Sequence, residues 1–314
     1  MPPQGYPCLG ADNRTDLDSF AIPYGGRVIS MAINLRQKVE LFTEDDMWST
    51  DAHITIPPDA TTDLVYPILE EYGINGMHHS NLISSFDGVI GAGLGSSASF
   101  AVCLIGALHR ALNIPLERHT IANMAYEIEV ERLNWYGGKQ DQWAAAFGGF
   151  NLLEIDEEVK VTGLSRRWAE NLLPFLLLVY IGGRREGRTI QEGLRVLTQE
   201  QIDTLTRVKE KTYAAIEYLK SYNIEGLGKI LHDTWELKKQ SNKQVSNFRV
   251  DQIYEVARKA GAWGGKIMGA GSQGYMFFLV DKNKHKNVIK ALAKEGIEEI
   301  DFSIDWNGLE TRII

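Results

Sequence analysis

Residues 91–99 read GAGLGSSAS: three glycines alternate with small or apolar residues, and two adjacent serines follow. The apolar positions Phe100, Val102, Cys103, Ile105 and Leu108 come directly after. The pattern predicts a glycine-rich loop feeding the N-terminus of a buried helix. Gly91, Gly93 and Gly95 allow positive φ and close backbone approach to a ligand, and Leu94, Ser96 and Ser97 belong to the same cradle. The start of a helix offers unpaired N–H groups and the positive end of a dipole, which suits a phosphate. A tight turn ahead of a core helix would look similar. The loop is not a Walker A sequence, because no lysine follows the last glycine. It also departs from a dinucleotide fingerprint, because Ser96 stands where the third glycine falls.

A second glycine-rich segment, GGKIMGAGSQG at 264–274, precedes the apolar run Tyr275 to Val280. Two phosphate-sized loops in one chain make a phosphate ligand the better reading.

The chain has 314 residues and 44% hydrophobic content, enough for one large domain or two closely packed ones. A formal net charge of −8 argues against general nucleic-acid binding. It leaves room for a locally basic substrate site. Only Cys8 and Cys103 occur, which favours a reducing compartment over a disulfide scaffold. The apolar run Leu172 to Ile181 is too short to span a bilayer and contains Pro174. The stretch MPPQGYPCLG has neither the basic nor the apolar region of a signal peptide. A cytoplasmic protein without membrane partners is expected. The seven histidines show no zinc-ligand spacing, and His78-His79 reads as loop surface.

Residues 27–42 read as strand, break, strand. Helical patterning covers about 99–112 and 118–133, with a strand from Phe147 to Ile155. Leu176 to Ile181 reads as a strand buried on both faces. Thr198 and Gln201 form a capping-box pattern that opens a long helix. Further helices are expected at 225–240, 250–260 and 284–294, with strands at 275–280 and 297–303. The chain reads as α+β, divided into halves 1–190 and 191–314.

GAGLGSSAS resembles the second motif of the GHMP small-molecule kinases, and GGKIMGAGSQG resembles their third. Between them, YEIEVERLNWYGGKQDQWAAAFGGFN at 126–151 is similar to the branch that phosphorylates heptose 7-phosphate and related sugars at the anomeric hydroxyl. The resemblance covers most of the chain. It implies a ribosomal-S5-like N-terminal half and a ferredoxin-like C-terminal half with added helices, with ATP and substrate between them. The implied cofactors are ATP and Mg²⁺, and the implied partner is a sugar or sugar phosphate. A homodimer is left open. Another monosaccharide, a mevalonate-like alcohol, or a catalytically silent nucleotide and sugar sensor are the alternative readings.

Phosphoryl transfer needs a phosphate cradle, a metal and a group that orients or deprotonates the hydroxyl. By resemblance Ser97 supplies a hydroxyl to Mg²⁺ and Ser96 touches phosphate, although either serine also suits a helix N-cap. Glu127, Glu129 and Glu131 lie on one helix at spacings that face different ways. The family spacing back from GKQDQ selects Glu129 as the second metal ligand, leaving the other two as solvated surface. Asp141 of GKQDQ is the candidate base, with helix capping as the bland reading. Lys139 is placed to hold Asp141 ionised or to bind phosphate.

On the substrate side, Asp16, Gly25 and Gly26 resemble part of the family's first motif. The arginine-bearing strand that usually opens it is replaced by PPQGYPCLGADN, leaving Lys139, Arg14 or Arg27 as substitute cations. The third motif, Lys266 to Gly274, is expected by resemblance to close over the phosphates from the C-terminal half, with Gly269 and Gly271 on the substrate side. Ser272 and Gln273 occupy family glycine positions there, which adds bulk. Arg184, with Arg185 and Arg188, suits a sugar phosphate or a solvated loop equally.

Overall fold

The structure, a computed structural model, describes residues 18–42, 62–74, 81–135, 137–183 and 195–313. The chain begins with α1 (Asp18–Tyr24), β1 (Gly26–Met31), β2 (Gln37–Phe42), α2 (Thr62–Glu71) and β3 (Asn81–Phe86). Next come α3 (Ser96–Ala111), α4 (Arg118–Glu127), α5 (Gln140–Phe147), β4 (Phe150–Ile155), β5 (Val159–Gly163), α6 (Arg166–Leu172) and β6 (Leu176–Tyr180). After these come α7 (Gln199–Lys220), α8 (Ile224–Ser241), α9 (Phe248–Ala260), β7 (Ala262–Ile267), β8 (Tyr275–Val280) and α10 (His285–Ala293).

Among the described residues the strands form three antiparallel sheets, ordered β1-β4-β5, β2-β3 and β6-β8-β7. Period-2 alternation decides what each face covers. In β1, Val28 joins Phe100, Leu104 and Leu153 in a core under α3. Its neighbours Ile29 and Met31 point the other way, into a second core with Phe150, Leu178, Phe277 and Leu279. The opposite face of β6-β8-β7 carries Leu177, Val179, Met276 and Phe278 against Tyr254, Val288 and Leu292 of α9 and α10. A side chain such as Phe277, at 0% exposure, contributes about 1.5–3 kcal/mol by burial. The middle core therefore ties both sheets into one body.

One strand pairs across the expected division, and one expected strand needs correcting. β6 precedes residue 190, yet it pairs with β8, Leu176 opposite Leu279 and Tyr180 opposite Tyr275, and so builds the C-terminal sheet. The strand expected at 297–303 is instead an irregular strap, held by the single bridges Val179–Glu299 and Ile33–Ile304. Adjacent Glu298 and Glu299 break the alternation that a strand needs. Beyond it the strap bonds back to the N-terminal half through Gly149 N–H to Asp305 O (2.6 Å) and Leu309 N–H to Ala146 O (3.1 Å). Among the described residues, no helix is long and apolar enough to cross a membrane.

Candidate active site

Gly91, Gly93 and Gly95 all have positive φ, at 74°, 95° and 67°. Gly95 is the left-handed N-cap of α3 and brings no side-chain cap, so neither serine caps the helix. The first-turn N–H groups of α3 therefore lack intrahelical partners and face the loop. Ser96 instead holds the loop itself, its Oγ accepting the Gly91 N–H at 3.1 Å. Leu94 is 1% exposed and packs with Met268 and Tyr275. It anchors the loop from beneath.

The third motif docks directly on this loop. A Cβ on Gly93 would lie 2.8 Å from Met268 O and 3.2 Å from Gly269 N, and a Cβ on Gly269 would lie 2.6 Å from Gly93 Cα. Tyr275 N–H donates to Ala92 O at 3.0 Å, and the Val89 N–H donates to the Tyr275 hydroxyl at 3.0 Å. Gly269 thus lies against the phosphate loop. Gly271 lies against Val245, where a Cβ would fall 2.6 Å from its carbonyl oxygen. Ser272 adopts φ 67°, the conformation a glycine would take, and its carbonyl accepts from Asn247 Nδ2 at 2.5 Å. Buried Lys238 of α8 donates to Gly269 O at 3.1 Å and holds the motif from behind.

β7 carries the link to Asp141. Lys266 is 2% exposed within this strand, and it is the charge that pulls the Asp141 pKa down. Burial is the larger influence: it pushes the Asp141 pKa up to about 6, against Lys266 and a hydrogen bond from the Gln140 side chain. Asp141 stands in the first turn of α5, whose N-cap is Lys139 without a side-chain cap bond. Gly269 follows Lys266 by three positions, a span of at most about 11 Å. One strand end therefore joins the candidate base to the phosphate loop. Perturbed carboxylates of this kind concentrate at functional sites.

Lys139 reaches the neighbouring turn and is not among the charges that shift Asp141. Its Nζ donates to the carbonyls of Asp156 and Glu157, each at 3.1 Å, in the β4–β5 turn. The cation acting on Asp141 is Lys266, the residue at which the third-motif segment Lys266 to Gly274 begins. The available signal was a single lysine inside an otherwise apolar strand. Arg27 is engaged elsewhere too, 3.4 Å from Glu154 and stacked 3.9 Å over the Tyr213 ring.

Glu129 is 6% exposed, whereas Glu127 and Glu131 are exposed. The helix expected through 133 ends as α4 at Glu127 and continues as one wide, π-type turn, Ile128–Arg132, with Leu133 N–H bonding to Ile128 O. That extra residue per turn rotates Glu129 inward, where Gln142 Nε2 donates to its carboxylate. Ser97 is half-buried at the second position of α3, which packs on α4 and α5. Gly25 has φ 70°, and Gly26 pairs with Ile155, at the same sheet end as the turn that holds Lys139. Asp16 and Arg184, like Arg14, Arg185 and Arg188, lie outside the described residues.

The family GHMP kinases N terminal domain matches residues 62–149, and GHMP kinases C terminal matches residues 215–298. The chain is 32% identical to a D-glycero-alpha-D-manno-heptose 7-phosphate kinase of Campylobacter jejuni, over 96% of this chain and 95% of that protein. A solved D-glycero-D-manno-heptose 1-phosphate kinase from Bacteroides thetaiotaomicron superposes with a TM-score of 0.76 at 24% identity, covering 98% of this chain and 96% of that one. A solved Campylobacter jejuni chain assigned as a sugar kinase gives 0.74 at 30% identity, with 98% and 95% covered. The chain belongs to the GHMP kinases, α+β phosphotransferases that act on an alcohol group of a small molecule.

Proposed function

We propose that the chain transfers the γ-phosphoryl group of ATP to the anomeric hydroxyl of D-glycero-D-manno-heptose 7-phosphate. The observation that carries this acceptor is the 32% identity to a heptose 7-phosphate kinase along nearly the whole of both chains. The GKQDQ and AAFGGFN segments lie inside that match.

The residues fit the reaction. The uncapped start of α3, with the glycines of two loops pressed together behind it, suits the phosphates of ATP. Ser97 and Glu129 supply the hard oxygen atoms that Mg²⁺ prefers. When bound, the metal neutralises charge on the β- and γ-phosphates. Asp141 in its ionised form accepts the anomeric proton as the sugar oxygen bonds to the γ-phosphorus and the bond to the ADP oxygen breaks. Lys266 keeps Asp141 ionised near neutral pH despite its burial. In this reading Gly25 and Gly26 bring backbone close to the sugar, Asp16 accepts hydrogen bonds from its hydroxyls, and Arg184 takes its 7-phosphate.

ADP release with Mg·ATP and the heptose 7-phosphate tests the proposal. The wild type should turn over, and Asp141→Asn should lose roughly 10²–10⁴-fold in rate while still binding nucleotide. A wild type that binds nucleotide but leaves this sugar untouched would redirect the acceptor to another monosaccharide or a mevalonate-like alcohol.

A further inference from the structure

The first turn of α5 serves the site at two adjacent positions. Asp141 meets Lys266, while Gln142, about 100° further round the helix, meets Glu129. Gln142 is 4% exposed and Glu129 6%. Gln142 Nε2 donates to Glu129 Oε2, and Gln142 Oε1 is buried with no hydrogen-bond partner among the described residues. Buried side-chain acceptors nearly always have a donor, and an orphan one calls for an explanation.

We propose that Gln142 is a positioning residue for the divalent cation: its amide N–H fixes the Glu129 carboxylate, and its Oε1 accepts from a water carried by the metal. The inference rests on Glu129 being a metal ligand. The residue type supports it. A lysine or arginine beside Glu129 would orient the carboxylate and also cancel part of its charge, whereas a glutamine orients it and adds no positive charge. The amide carries a donor and an acceptor on one rigid plane, so fixing the first toward Glu129 leaves the second close to the same carboxylate. Outer partners of metal ligands act in this way, and losing one typically weakens metal binding.

The test uses Mn²⁺ as the probe, titrated into the protein–ADP complex and followed by electron paramagnetic resonance. Gln142→Met keeps the side-chain size and removes both polar atoms. It should weaken Mn²⁺ binding roughly ten- to a hundredfold with metal-free ADP affinity unchanged, although the lost hydrogen bond to Glu129 lowers the melting temperature. Glu129→Gln is the reference and should abolish the bound-metal signal. Normal Mn²⁺ binding by Gln142→Met, with the signal lost in Glu129→Gln, would overturn the role of Gln142. Normal binding by both would remove Glu129 as a ligand, and this inference with it. If Gln142→Met does not fold, Gln142→Asn retains both polar atoms but falls short of Glu129. It should show the same weakening, and unchanged affinity there would equally overturn the proposal.

Discussion

Lys266 on β7 is the charge that acts on Asp141 at the start of α5, and the two residues come from sheet and helix in opposite halves of the chain. The interaction reconciles a carboxyl that burial drives toward neutrality with a reaction that needs it ionised.

The acid limb of activity should follow this pair. Asp141 is protonated below a pH of about 6 and cannot then accept a proton, so kcat/KM should fall as pH drops through that value. Lys266 lowers the Asp141 pKa, so Lys266→Met should raise it and move the limb to higher pH, by about 1–3 units. A pH profile of kcat/KM at saturating Mg·ATP measures this. A limb that stays in place would separate Lys266 from Asp141.

Contact between the two glycine loops gives a second expectation. An alanine at position 93 would combine φ 95° with a Cβ only 2.8 Å from Met268 O. Gly93→Ala should destabilise the fold by about 1–3 kcal/mol and raise the ATP KM at least about tenfold, as the loops part. Gly73 separates strain from collision: its φ is 69°, and nothing lies within 4 Å of an added Cβ. Gly73→Ala should cost about 1 kcal/mol and leave the ATP KM untouched. Thermal melts and steady-state kinetics on both variants decide the matter.

Local signals in the sequence carried most of the element pattern. The run after GAGLGSSAS reads as α3, and the Thr198–Gln201 capping box is present with both of its hydrogen bonds. The apolar runs of β6 and β8 read as buried strands because they are buried on both faces. Long-range pairing left no such mark. Nothing in Leu176–Tyr180 says that its partner lies about a hundred residues later. Proximity in sequence misled for Lys139, because two backbone carbonyls of a turn compete successfully for its ammonium. Lys266 offers only the signal of a lone lysine in an apolar strand, and its link to Asp141 depends on how the C-terminal sheet meets α5.

The C-terminal strap depends on Arg36. Its guanidinium pairs with Asp305 and lies 3.3 Å from Glu310, while the Asp305 side chain is 1% exposed. Asp305 Oδ1 also accepts from the N–H groups of Asn307 (2.9 Å) and Gly308 (3.4 Å). Arg36→Ala leaves a buried carboxylate with backbone donors alone and should cost about 1–3 kcal/mol. Asp305→Asn in the same background should recover part of the loss, because the uncompensated charge is gone. Hydrogen exchange should accelerate at the Leu309 N–H, which bonds to Ala146 O across the junction. Equal melting temperatures for wild type and Arg36→Ala would show that the strap is held by its apolar contacts instead.

Lys139 provides the contrast to Lys266. It is 6% exposed, and its Nζ donates to Asp156 O and Glu157 O at the β4–β5 turn. Lys139→Met should therefore leave two carbonyls without their charged donor and lower stability by about 2–3 kcal/mol. The charge that sets the ionisation of Asp141 stays in place in this variant, so the acid limb of kcat/KM should remain at its wild-type pH. Lys266→Met should move the limb. A limb that shifted with Lys139→Met and held with Lys266→Met would exchange the two roles. It would place the working cation beside Asp141 in sequence, and Lys266 would then be a structural lysine of the C-terminal sheet.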